Sequence, residues 1–334
     1  MEQSVDAHTL REMVRRRPGM FFGTSDKDAH ALAPLLGRWT LDLLASGASE
    51  VALAFRANGN VELSHTGGRA IGHGDNVALA CSSMQHAASS TDGAKVAFVP
   101  DVEAFPMLAV RGTHLLVGML RDAATAFPSA TLSFVDEISN TEIRLRHSRG
   151  CADRLSEEVA SRWMLSVLRS TGATGDVTLD VAFAWCGGPG LQLVALTNGQ
   201  RNANGGSHVL GVWQGIAAAL GTLGVRCKPE QLPRNAALVV SVHVESPDYG
   251  PVTKDCLHDR RSREAVRDAV ARDFPSQLIE AAQGSMPPWQ LAGGVHRESR
   301  PWLTHATDDL AGNAEPDPYA HHENHGDLSA SEEG

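Results

Sequence analysis

The sequence lacks any long apolar run. The longest, around Ala236–Val244, is interrupted by Ser241 and His243 and falls far short of the roughly 20 apolar residues that cross a bilayer. The opening segment MEQSVDAHTLREMVRRRPG has no apolar core of the kind that marks a secretory signal. A soluble cytoplasmic protein is therefore expected, with no membrane partner. Aromatic residues are scarce, 5% of the chain against 42% hydrophobic, so the cores must be built from Val, Leu, Ala and Ile. The five cysteines (Cys81, Cys151, Cys186, Cys227, Cys256) are odd in number and widely spaced. No CxxC pair or Cys/His cluster has zinc-site spacing, and isolated reduced thiols are expected. A basic surplus is lacking too. The net charge is −10, and eight of the acidic residues lie in 301–334, where there is no Lys or Arg. Setting those eight aside leaves −2 for residues 1–300, a nearly neutral body. It has no broad positive field for a phosphate backbone, so charge gives no support for direct DNA binding.

What is present suggests two domains. Residues 1–29 are polar and basic around Arg15, Arg16 and Arg17, and read as an N-terminal arm. His30–Ser46 places Leu32, Leu35, Leu36, Trp39 and Leu43 on one helical face, and Pro34 near its start is tolerated there. Val51, Leu53 and Phe55 alternate up to Asn58-Gly59, and Val61 and Leu63 alternate after it, which predicts a hairpin. Residues 64–95 have weak periodicity. Gly112–Ala126 is helical in pattern. Leu132–Val135 and Ile143–Leu145 flank a turn at Ser139-Asn140, and Gly150–Arg169 reads as a helix.

A turn at Thr171–Gly175 is the expected domain boundary, near residue 172. Beyond it Val177–Trp185 alternates as a long strand, Leu191–Leu196 is a second, Gly205-Gly206 opens a helix, Leu238–Val244 is a third strand and Arg263–Gln283 a last helix. Strands and helices do not strictly alternate, which points to an α+β class. From Gly284 onward Pro, Gly, His and acidic residues predict a disordered tail. Its histidines (His296, His305, His321, His322, His325) read as solvated rather than as metal ligands.

Four segments carry a resemblance. Arg17–Gly23 is similar to the arginine-proline-glycine-methionine stretch that opens the ATPase domain of DNA gyrase B. Gly68-Arg69-Ala70-Ile71 resembles that family's glycine-arginine turn after its first hairpin. Leu196-Thr197-Asn198 followed by Gly205–Gly211 resembles the strand, loop and helix around its glycine-glycine-threonine-histidine motif. Val239–Val244 followed by Val252–Asp255 resembles its glutamine-threonine-lysine strand and loop. The four occur in the family's order and span about residues 14–283.

The resemblance implies a two-layer GHKL-like (Bergerat) sandwich over 30–171, a transducer-like domain with the fold of ribosomal protein S5 over 172–283, and a tail over 284–334. It also implies ATP with magnesium as the ligands, although no residue pattern independently demands a cofactor. The nucleotide-contact positions it carries over are Thr66, Gly68, Arg69, Gly112, Gly118 and Lys254. Lys254 would be the transducer lysine that reaches the terminal phosphate; read by itself, it could equally be a solvated loop lysine.

The same resemblance shows what has been replaced. The family's first long helix carries a glutamate base and a magnesium-binding asparagine. Here Pro34 falls near the first position and Arg38 near the second. Asp42 is the only acid on the helix, two turns too late. Thr66 stands where an adenine-reading carboxylate is expected. The nearest match to the phosphate loop is Gly112–Gly118, with Leu115 and Leu116 in its middle, and no GxxxxGKS/T replaces it. No acidic metal triad follows the last strand, and the two tyrosines, Tyr249 and Tyr319, lie in a loop and in the tail. No catalytic or metal-binding residue is therefore assigned.

The first expectation is a non-catalytic binding or regulatory protein that contacts a type II topoisomerase subunit or a second copy of itself. The alternative is an ATP-binding, weakly hydrolysing gyrase-B-like subunit with His65, His73 or Asp75 as base, each read as a loop residue. A decayed paralogue and a DNA-mimicking tail are further readings. His208, beside the glycine pair, reads as structural.

Overall fold

The computed structural model describes residues 32–68, 83–90, 93–100, 112–160, 162–187, 190–232, 235–250 and 254–282, together with Glu12 and Arg16. The chain divides into two compact units, Met1–His296 and Arg297–Gly334, and every element below belongs to the first. Most of the arm, residues 69–82 (with Arg69, His73 and Asp75) and the tail lie outside the described residues.

The first half is a six-stranded sheet with two helices on one face. Helix α1 is Leu32–Ala45. Strands β1 (Ala48–Phe55) and β2 (Val61–Gly67) form the expected hairpin, β3 (Ser83–Ser90) and β4 (Gly93–Val99) a second, and helix α2 is Gly112–Ala126. Strands β5 (Thr131–Asp136) and β6 (Thr141–Leu145) form a third hairpin. The order is β3-β4-β2-β1-β5-β6. Only the β1–β5 pairing is parallel, and α2 connects into it through the crossover that parallel strands require.

Strand alternation puts Val51, Leu53, Val61, Leu63, Leu132 and Phe134 on the helix-covered face, where Leu32, Leu35 and Leu36 of α1 and Leu116 and Leu120 of α2 close over them. Each such side chain contributes about 1.5–3 kcal/mol by leaving water. The two helices meet where Gly37 faces Met119; a Cβ at Gly37 would lie 2.4 Å from the Met119 Cε.

The second half is a five-stranded sheet covered on both faces. Helix α3 is Cys151–Glu158. It is followed by β7 (Leu168–Thr174), β8 (Val177–Trp185), β9 (Leu191–Thr197), β10 (Gln200–Arg201), helix α4 (Ser207–Thr222), β11 (Ala236–Val244) and helix α5 (Arg260–Ala282). The order is β10-β9-β11-β8-β7, with β9 and β11 parallel through the α4 crossover. One face, with Val177, Leu179, Val181 and Phe183 of β8, packs under α4 and α5. The opposite face uses small residues, Ala182, Ala184 and Ala237, and receives Leu155 of α3 and Ala126 of α2. Helix α2 therefore serves both halves, and His243 of β11 hydrogen-bonds the Ala126 carbonyl at 2.9 Å.

Two expectations are corrected. The helix expected over Gly150–Arg169 stops at Glu158, and Leu168–Thr174 is a strand paired along β8, Leu168 opposite Phe183. The expected turn at Thr171–Gly175 is thus mostly strand, and residue 172 lies inside the second sheet. Ladder hydrogen bonds from β8 outweigh the helical spacing of Val159, Trp163 and Val167, and Trp163 ends up 58% exposed. The weakly periodic 64–95 stretch contains β3 and the start of β4.

Candidate functional site

Helix α1 contributes Pro34 and Arg38. Pro34 is buried in the first turn, where its missing N–H costs no helical bond. Arg38 is exposed and its Nε lies 3.1 Å from Oδ1 of Asp42, one turn on. An exposed pair of this kind contributes under about 1 kcal/mol, but it ties the helix's only carboxylate to a cation. Burial pushes the Tyr249 phenol up, and the nearby Arg38 guanidinium opposes it. The Lys254 ammonium stands over the same ring, 5.6 Å from its centroid. Lys254 and Tyr249 are thus paired on the second half, with the Arg38 charge acting on the same phenol.

Lys254 is half-buried and has φ 60°, a left-handed conformation rare for a side-chain-bearing residue. Its carbonyl accepts a hydrogen bond from Asn202 Nδ2 at 2.8 Å. The side-chain carbonyl oxygen of Asn202 accepts in turn from Thr197 Oγ1 at 2.6 Å. Asn204 N donates to the Asp255 carbonyl, Leu257 N to that of Gly205 and Ser207 N to that of Leu257. The glycine pair has a steric cause here: a Cβ on Gly206 would lie 2.3 Å from the Leu257 oxygen. His208 is fully buried in the first turn of α4, with both ring nitrogens unpartnered, and burial pushes its pKa down to about 3. It stands in the core as neutral imidazole, away from solvent-borne ligands.

At the end of β2, Thr66 is exposed. Gly68 has φ 73°, and a Cβ there would lie 2.8 Å from the Ala48 nitrogen, so this glycine lets the chain pass against the α1–β1 turn. Arg69 lies outside the described residues. His65 is in strand β2 rather than a loop, and it is 6% exposed. It follows Val61 and Leu63 on the helix-covered face. Its Nδ1 is 2.7 Å from the Gly67 carbonyl oxygen, which makes that nitrogen the donor. Nε2 is buried and unpartnered.

Gly112 and Gly118 do not form a loop. Gly112 opens α2 and Gly118 lies in its second turn, its amide committed to the helix. The start of α2 is tied to the sheet by Thr113 Oγ1, which donates to Asp136 Oδ2 at 2.6 Å. Burial alone would raise the Asp136 pKa, but hydrogen bonds from Thr113, the Ser139 hydroxyl and two backbone amides hold it below the usual carboxylate value.

Spacing along the chain carried no sign of an ion cluster between the halves. Asp122 of α2 is 5% exposed and accepts two hydrogen bonds from Arg201 of β10, at 2.8 and 2.7 Å. Arg154 of α3 reaches the same carboxylate at 3.3 Å and pairs with Glu158 at 2.8 Å. Among the described residues no group of three or more His, Cys, Asp or Glu could hold a metal ion. No helix among them is long and apolar enough to cross a membrane.

Comparison with known proteins gives one consistent result. The family model of DNA gyrase B matches residues 131–285. The mitochondrial DNA gyrase B protein of Arabidopsis thaliana is 24% identical over 60% of this chain and 30% of its own length. The B component of DNA topoisomerase 4 from Escherichia coli (strain K12) is 30% identical over 57% of this chain and 32% of its own. The chain therefore spans about a third of the length of these relatives.

Among solved structures, the B-subunit of the DNA gyrase from Myxococcus xanthus superposes with TM-score 0.67 at 19% identity, covering 81% of this chain and 96% of that one. The 43K ATPase domain of Thermus thermophilus gyrase B gives TM-score 0.65 at 18% identity, covering 81% and 90%. Matched segment, relatives and fold agree that the chain contains a gyrase-B-like region, with the fold seen in gyrase B ATPase-domain structures.

Proposed function

We propose that this chain is a degenerate gyrase-B-like protein that does not hydrolyse ATP with the family's residues and acts through protein contacts, with a type II topoisomerase subunit or a second copy of itself. The observation that carries the reading is helix α1. Its positions corresponding to base and magnesium ligand hold Pro34 and Arg38, and its one acid, Asp42, is paired with Arg38. A guanidinium repels a divalent cation, so these residues do not fit magnesium. The second-turn position of Gly118 adds support, because its amide is committed within α2 and only the first-turn amides remain free for an anion. We read the α1–β6 layer as the ATPase-like domain and the second sheet with its helices, β7–α5 and the α3 that packs on it, as the transducer-like domain with the S5-like fold. Among the described carried-over positions, Lys254, with its ammonium over Tyr249, and Thr66 and Gly68 at the β2 end are the candidate ligand contacts. ATP is a candidate ligand without a hydrolytic role, and a cytoplasmic setting suits the proposed partners.

The test is co-purification of the tagged full chain with type II topoisomerase subunits, together with sedimentation of the chain alone. Either a stable topoisomerase complex or a self-dimer is expected. A strictly monomeric chain that captures no topoisomerase subunit contradicts the contact half of the proposal.

One observation favours a second reading, slow hydrolysis. His65 has an unpartnered Nε2 on the helix-covered face and is 6% exposed rather than fully enclosed like His208, and imidazole is a competent general base once a water reaches it. That reading requires turnover that falls at least about tenfold in His65→Ala; turnover unchanged by the substitution removes it.

A further inference from the structure

Arg201 and Asn202 are adjacent at the end of the β9–β10 hairpin, and their side chains bind in two different places. Arg201 grips Asp122 on α2 through two hydrogen bonds at 2.8 and 2.7 Å. The arrangement is a guanidinium fork on a carboxylate, the most directional ion pair available to side chains. Asp122 is buried and also faces Arg154, so it is held from two sides. Asn202, 2% exposed, grips the Lys254 carbonyl at 2.8 Å. The hairpin is itself fixed: Asn198 spans to β11 by a side-chain donor to the Val244 carbonyl and an acceptor for the Val244 amide, both at 3.0 Å. A left-handed non-glycine residue persists only where its surroundings over-determine it, and the Asn202 clamp with the bonds to Asp255 and Leu257 provides that for Lys254.

We propose that Arg201 and Asn202 are positioning residues that join helix α2 to the Lys254 segment, so that a displacement of α2 is delivered to the Lys254 ammonium. The path is short and each link is a bond of stated length: Asp122 to Arg201, one peptide unit to Asn202, then the Lys254 main chain. Both ends are half-buried rather than enclosed, Thr113 at the start of α2 and Lys254 with its ammonium over Tyr249. The device does not depend on nucleotide binding. Any ligand or partner that moves α2 is read out at Lys254, and by reciprocity anything that holds Lys254 biases α2.

The chain has only four lysines, Lys27, Lys95, Lys228 and Lys254, which makes the test direct. The full chain is exposed to an amine-acylating ester, and the rate at Lys254 is compared with that at Lys95 by mass spectrometry. Asp122→Asn and Arg201→Gln are each expected to raise the relative Lys254 rate by about threefold or more, with little further rise in the double variant. Asn202→Ala should act alike. Arg272→Gln, which removes an exposed ion pair with Asp273 on α5, should leave the rate unchanged. A folded Arg201→Gln protein with the Lys254 rate of the unaltered chain overturns the proposal. Should these variants fail to fold, hydrogen exchange on the unaltered chain decides. The amides of Phe127, Ser207 and Leu257 are expected to open together, with one dependence on denaturant. Independent opening of α2 and the Leu257 segment likewise overturns the coupling.

Discussion

His208 concentrates several physical effects in one side chain. It sits in the first turn of α4, fully buried, with neither ring nitrogen bonded. Burial lowers its pKa from 6.5 to about 3. In the unfolded chain the ring takes up a proton as the pH falls through about 6.5, while in the folded protein it stays neutral. The unfolded state thus binds more protons in this window, so stability is lost as the pH falls from about 6.5 toward 3. The loss from this residue is on the order of a few kcal/mol at the acid end. His208→Leu removes two orphaned nitrogens and the titration together. It is expected to leave stability at pH 7.5 nearly unchanged and to flatten the fall in melting temperature between pH 7.5 and pH 5. A steeper fall in the variant would contradict this account of the residue.

Other residues show how far single positions could be read. Pro34 and Arg38 were legible because a helix pattern surrounds them. The left-handed backbone of Lys254 was not, because it depends on Asn202, far away in sequence. The placement of His65 in strand β2 was hidden because serine, threonine and glycine around it weaken the alternation.

At the scale of elements, helices α4 and α5 are the closest packed pair. Gly211 and Gly215 lie one turn apart on α4, and Cβ atoms there would sit 2.5 and 2.7 Å from the carbonyl oxygens of Arg263 and Arg267. These contacts are backbone, which cannot swing aside as a side chain can. Gly211→Ala is therefore expected to destabilise the protein by about 1–3 kcal/mol, despite the better helix propensity of alanine. Denaturant melts measure it; a variant as stable as the parent means the helices do not approach this closely. Elements with strong periodicity, α1, the β1–β2 hairpin and β8, were readable from apolar spacing. The extent of α3 was not. Its spacing of four continues past Val159, and the strand that displaces it is fixed by pairing with β8, a contact with no local signature. Strand β3, Ser83–Ser90, contains no Val, Ile or Leu and offered nothing to periodicity.

The whole molecule joins two sheets through α2, which carries apolar residues toward one and Asp122, Thr125 and Ala126 toward the other. The α+β class was readable from element order, and the likeness to gyrase B from four short motifs in sequence. The junction was not, because Asp122, Arg154 and Arg201 are scattered charges until the fold collects them. The chemistry at α1 decides between a silent and a hydrolytic protein. Steady-state ATP hydrolysis by the purified full chain, with magnesium and at saturating nucleotide, tests it most directly. The account predicts no turnover above the protein-free rate, and the same baseline for the unaltered chain and for Lys254→Ala. Magnesium-dependent turnover that co-elutes with the chain and is lost in Lys254→Ala would contradict it.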